Sequence, residues 1–162
     1  SQMAQLIFAT HSENVIRAAV QNSLNTLIII LSDEGGAIRA DKMKGTVLPS
    51  LTAAEINYLA FGVMSIDYHI ALYGYLQTLS RENTIKEADE FISQQPEYSA
   101  AQHEKPDTYG RIVYKTLPTY LRNAIDHPNS LRVYSESELE MSILLLRAIC
   151  QRLCAVASTK SL

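Results

Sequence analysis

Two cysteines, four positions apart, are the only ones in 162 residues, and no histidine lies near them in the sequence. That excludes a disulfide-built scaffold and leaves no ligand spacing for a structural zinc site. Cys150 and Cys154 read as small buried core residues in a reducing compartment. The chain also lacks a signal-peptide pattern and any run of about eighteen apolar residues, so no membrane is expected and a cytoplasmic location is the default. Positive charge is not in excess: the formal net charge is −3, against a protein coated for nucleic-acid binding. There is no Ser/His/Asp set, no paired catalytic carboxylates and no G-x-x-x-x-G-K-[ST] loop, so nucleotide hydrolysis by these residues alone is not expected.

What is present is an ordinary soluble balance, 47% apolar and 19% charged, enough for one domain or a small domain plus a fragment of another. The charge is uneven. Glu82, Glu87, Asp89, Glu90 and Glu97 form an acidic stretch, whereas Lys105, Arg111, Lys115, Arg122 and Arg132 outnumber Asp107 and Asp126. An anionic partner should therefore meet the C-terminal third.

The first part of the chain has β character. Gln5 to Ala9 is a short apolar run ending at Thr10-His11-Ser12, and Thr10 or Ser12 can cap a helix to about Gln21. Thr26 to Leu31 is apolar and β-branched throughout, the pattern of a strand covered on both faces. Asp33-Glu-Gly-Gly36 predicts a turn, with Ala37 to Met43 returning as a hairpin partner.

After Pro49-Ser50 the pattern becomes helical. Thr52-Ala-Ala-Glu55 is a capping box, and helical spacing continues from Ile56 to about Leu79, with Gly62 and Gly74 as weak points. Thr84 to Gln94 predicts a shorter amphipathic helix stopped by Pro96, and Gln95 to Pro106 a loop. A third helix lies between Thr108 and His127, with Pro118 in its first turn or at a kink and Pro128 placing His127 at or past its end. Ser135 to Glu138 is a further capping box, opening a last helix with Leu139, Ile143, Leu146, Cys150 and Leu153 on one face. The expected fold class is mainly α with a small N-terminal β part: residues 1–49, then an antiparallel helical bundle over 50–162.

Two motifs carry chemistry. The first is the apolar run ending in Thr10-His11-Ser12, followed by a helix and a second strand. It resembles the end of an ABC-type ATPase domain, over about residues 4 to 45. The resemblance implies that His11 is a switch histidine beside a nucleotide γ-phosphate, with ATP and magnesium bound by upstream elements of a longer parent protein. The alternative is a histidine ending an unrelated strand.

The second motif is Arg122-Asn-Ala-Ile-Asp-His127, which resembles the R-N-x-x-x-H signature of HEPN domains, small helical ribonucleases and nucleotide-binding modules, over about residues 51 to 158. The resemblance implies metal-independent RNA cleavage. In that reaction the ribose 2′-hydroxyl attacks phosphorus, His127 moves protons, Arg122 stabilises the phosphorane and Asn123 orients the phosphate or the imidazole. Asn123 and His127, four apart, would share a helix face, whereas Arg122 is about 140° from His127 on an ideal helix. A frayed helix end or a second motif across a homodimer would bring them together, and Asp126 can pair with Arg122 or tune His127. By resemblance, such fusions act as toxin or anti-phage modules with an upstream ATPase and a defence partner protein. The competing expectation is a non-catalytic dimerisation or partner-docking domain, in which the dipole of a capped helix end merely favours a histidine.

Other residues read more plainly. His69 can face the same site but suits a partly exposed helix side better. Tyr58, Tyr68, Tyr73 and Tyr75 can stack bases, yet at helical spacing they suit the core. Glu55 belongs to its capping box, and His103 to a polar loop.

Overall fold

A computed structural model of the chain describes residues 6–22, 26–109, 111–128 and 131–159. They are mainly helical, with two small antiparallel strand pairs. The elements run α1 (Glu13–Gln21), β1 (Ile29–Glu34), β2 (Ala37–Lys42), α2 (Ala53–Phe61), α3 (Ile66–Ser80), α4 (Ile85–Ser93), α5 (Ala100–His103), β3 (Glu104–Tyr109), β4 (Ile112–Thr116), α6 (Leu117–Asp126) and α7 (Glu136–Thr159). No helix among the described residues is long and apolar enough to cross a membrane.

α3 and α7 pack along each other and supply most of the main core. Tyr68, Leu72, Leu76, Ile143, Leu146 and Ile149 are all fully buried there, joined by Ala88 and Ile92 from α4. The helix starts follow the sequence. Thr84 and Glu87 form a reciprocal capping box on α4, and Ser135 and Glu138 exchange the same bonds ahead of α7. Thr116 caps α6 and Pro118 sits in its first turn, where a missing N–H costs nothing.

The single long helix expected from Thr52 to Leu79 is two. Gly62 ends α2 in the left-handed region (φ 68°, ψ 14°), and Val63 N–H reaches back to the Asn57 carbonyl (3.2 Å). Ser65 then caps α3 by accepting from Tyr68 N (3.2 Å). Apolar spacing continues across the break because both helices line one core, so periodicity alone does not reveal it.

Further departures lie at the N-terminus and before α6. Residues 6–10 form no strand, and Leu6, Ile7 and Phe8 are exposed; Gln5 is outside the described residues. β1 begins three residues later than expected and is not covered on both faces. Ile28 and Ile30 pack on a small cluster of Ile16, Ile56 and Ala60, while Ile29, Leu31 and Ile38 face outward, 54%, 68% and 70% exposed. The region expected as a loop contains α5 and the start of β3, and β3 and β4 pair as a hairpin ahead of α6, which lies within the range expected for the third helix.

The N-terminal hairpin and the helices are joined by buried charge. Glu55 is fully buried, and its carboxylate does not close the expected capping box. Thr52 still accepts from Glu55 N (3.1 Å), but Glu55 Oε1 turns to accept from Val47 N (2.6 Å) and Leu48 N (3.2 Å). Arg147 on α7 lies 3.8 Å from the same oxygen, donates to the Tyr68 hydroxyl (2.8 Å) and to the Gly45 carbonyl (2.7 Å), and stands over the Tyr58 ring. Val47 and Leu48, just ahead of residue 50, are thereby part of the main helical core.

Candidate functional site at the end of α6

The start of α6 is held from two sides. Asp89 of α4, nearly fully buried, accepts from Lys115 N (2.8 Å), Thr116 N (3.0 Å) and the Thr116 hydroxyl (2.7 Å). A carboxylate there also complements the positive end of the helix dipole. Thr119 continues the chain to the Tyr73 hydroxyl on α3 (3.0 Å). Burial raises the Tyr73 pKa, and the nearby Arg122 charge opposes that rise only in part.

One turn further on, the motif residues separate by environment. Asn123 is buried at 4% exposure. Its Oδ1 accepts from Arg122 Nη1 (3.2 Å) and its Nδ2 donates to Asp107 Oδ2 on β3 (3.3 Å). Arg122 is half-buried and pairs through Nη2 with Asp126 one turn on (2.7 Å). These two contacts engage only part of a guanidinium's five N–H donors. His127 is the residue after the helix, exposed, with φ −124° and ψ 69°, and its N–H closes the last turn on the Asn123 carbonyl (3.1 Å). Because His127 has left helical geometry and Asn123 points inward, the two do not share the face that ideal spacing assigns them. Asp126, of the two partners open to it from sequence, is the partner of Arg122.

Two residues extend this arrangement. Asp107 Oδ2 also accepts from Arg132 Nε (2.9 Å), so Arg122, Asn123, Asp107 and Arg132 form one connected line. The chain after α6 is secured again by Tyr120, whose hydroxyl donates to the Val133 carbonyl (3.0 Å) and accepts from Val133 N (3.1 Å). Lys105 stands over the Tyr120 ring and pairs with Glu138 at the start of α7. Sequence reasoning counted Asp107 and Arg132 only as charges. The β-branched Ile112-Val113 beyond Tyr109-Gly110-Arg111 was the available sign of a hairpin that brings Asp107 to the helix.

The remaining candidates lie elsewhere. His11 is exposed just ahead of α1, which packs on α2, and no strand precedes it among the described residues. His69 is fully buried, not partly exposed as expected: Nε2 bonds Ser142 Oγ (2.9 Å), Nδ1 has no partner, and burial pushes its pKa down to about 4. Tyr58, Tyr68 and Tyr73 are core residues. Tyr75 OH meets Cys154 Sγ (3.3 Å); Cys154 is only partly buried, while Cys150 is fully so. His103 accepts from Ser99 N through Nδ1 (2.9 Å), and burial lowers its pKa. No group of three or more His, Cys, Asp or Glu among the described residues can hold a metal ion.

The chain matches no protein-family model, no curated protein and no solved structure, so the chemistry of this helix end rests on its own residues.

Proposed function

We propose that residues 50–162 are a HEPN-like effector that cleaves RNA without a metal, as the C-terminal part of an ATPase-linked toxin or anti-phage protein. The observation that carries the reading is the pairing, at one helix end, of an exposed His127 with an Arg122 held by Asn123 and Asp126. A guanidinium with unused donors suits a phosphodiester oxygen, and an imidazole can pass a proton to or from a nucleotide oxygen. In the proposed reaction the ribose 2′-oxygen forms a bond to phosphorus as its proton passes to the neutral imidazole of the second His127 in the homodimer. The P–O5′ bond breaks, His127 gives its proton to the departing 5′-oxygen, and the products are a 2′,3′-cyclic phosphate and a 5′-hydroxyl. Arg122 balances charge on the phosphorane, and a homodimer supplies a second motif. ATP and magnesium belong to the proposed upstream ATPase domain, with His11 as its switch histidine.

The test is cleavage of single-stranded RNA with EDTA present. We expect cyclic-phosphate ends, and loss of cutting by about 100-fold or more in His127→Ala and Arg122→Ala with the fold retained. Intact RNA at high concentration of a confirmed dimer overturns the reading. One observation favours a second reading, a non-catalytic docking or dimerisation domain: Asp126 and Asp107 offset the charges of Arg122 and Arg132. That reading predicts that Arg122→Ala weakens association and leaves no cleavage to lose.

A further inference from the structure

The geometry points to Asp107 as the positioning residue of this helix end: it orients Asn123, and through Asn123 it sets the Arg122 guanidinium for an RNA phosphodiester. The inference rests on the RNA-cleavage reading for its substrate. Its geometry is independent of that reading.

An asparagine side chain is nearly symmetric in shape but not in chemistry, since one end donates and the other accepts. A carboxylate only accepts. Asp107 Oδ2, 3.3 Å from Asn123 Nδ2, therefore compels the amide to turn its donor toward β3 and its oxygen toward Arg122 Nη1 (3.2 Å). Without that constraint nothing directs adjacent residues on a helix toward each other, because they diverge by about 100°. Arg122 would keep only its pair with Asp126, whose side chain is 38% exposed, and such pairs order a side chain weakly. Asp107 is itself fixed. It sits opposite the buried Tyr114 in the β3–β4 register, its side chain is 9% exposed, and Arg132 Nε holds it at 2.9 Å.

Asp107 uses the single oxygen Oδ2 for both Asn123 and Arg132. An amide carbonyl can occupy that place, so Asp107→Asn keeps the acceptor and loses the charge, whereas Asp107→Ala loses both. The experiment compares the two in the full chain by RNA cleavage in EDTA, thermal unfolding and the 15N–1H side-chain resonance of Arg122 Nε. Asp107→Ala is expected to lower kcat by about 10- to 100-fold with little change in KM, and to abolish the resolved Arg122 resonance. Asp107→Asn is expected to keep most of the activity and the resonance, although both variants lose the charge pair with Arg132 and melt earlier. His127→Ala should leave the resonance in place. A merely structural role makes activity follow the melting temperature in both variants, and that result overturns the inference. So does an Arg122 resonance that survives Asp107→Ala. If the wild-type protein leaves RNA intact, the cleavage reading falls by itself, and the Arg122 resonance still decides the positioning role.

Discussion

The β1–β2 hairpin and the α3–α7 pair are both rich in aliphatic residues, yet they use them in opposite ways. Leu72, Leu76, Ile143 and Ile149 are completely buried, whereas Ile29, Leu31 and Ile38 show more than half their surface to solvent. A two-stranded ribbon can bury one face against α1 and α2 but has nothing among the described residues to cover the other. Paired helices enclose each other's apolar stripes. Apolar content therefore says how much a segment can contribute to stability, and the presence of a covering neighbour decides whether it does. The buried charges at Glu55 and Arg147 lie where the two regions meet, fixing Val47 and Leu48 to α2 and Gly45 to α7.

That junction should give the largest effect. Arg147→Met leaves the Glu55 carboxylate buried without its cation, and we expect a loss of about 3–5 kcal/mol by denaturant unfolding. Adding Glu55→Gln should restore part of it. A cost below about 1 kcal/mol would mean that water reaches the junction and that the hairpin is not tied to α7.

The helical core should also be acid-sensitive. The folded pKa of His69 is held down to about 4 by burial, below its ordinary value, so the unfolded chain takes up the proton first as pH falls. Its contribution is complete above about pH 6.5 and declines toward pH 4, by up to about 3 kcal/mol. The lowered His103 acts in the same sense. His69→Gln should flatten the stability profile over that window, whatever its effect at neutral pH. Parallel profiles for the two proteins would show that His69 is solvated.

The smallest effect belongs to the hairpin's outer face. Leu31→Thr and Ile38→Thr should each change unfolding free energy by no more than about 0.5 kcal/mol. Losses above about 1 kcal/mol would show that this face is covered in solution, and the contrast between the two regions would then narrow.

Much of the helical part was legible in residue types with strict local meaning. Thr84 and Ser135 mark helix starts because their oxygens satisfy the first free N–H groups, Pro118 marks a first turn, and Pro128 marks an end because it excludes the helical conformation from His127. The position of His127 just past a helix was read for that reason. The burial of Asn123 and His69 was not, because a polar residue's depth depends on partners distant in sequence: Asp107 for one, Ser142 for the other. Glu55 misled because its partners lie outside its own helix. Its spacing from Thr52 suits a capping box, but desolvated backbone N–H groups at Val47 and Leu48 are stronger claimants on a buried carboxylate.

By itself the sequence determined the helical character of the C-terminal two-thirds, the turn at Asp33–Gly36 and the placing of Arg122, Asn123 and His127 at one helix terminus. Those follow from backbone preferences and from caps within a few residues. Only the tertiary structure decided that Asn123 faces inward, that Asp107 and Arg132 join Arg122, that Glu55 serves the junction, and that β1 is left half covered. Each of these depends on which surfaces meet, and the pairings that bring them together span seven to more than one hundred residues of chain.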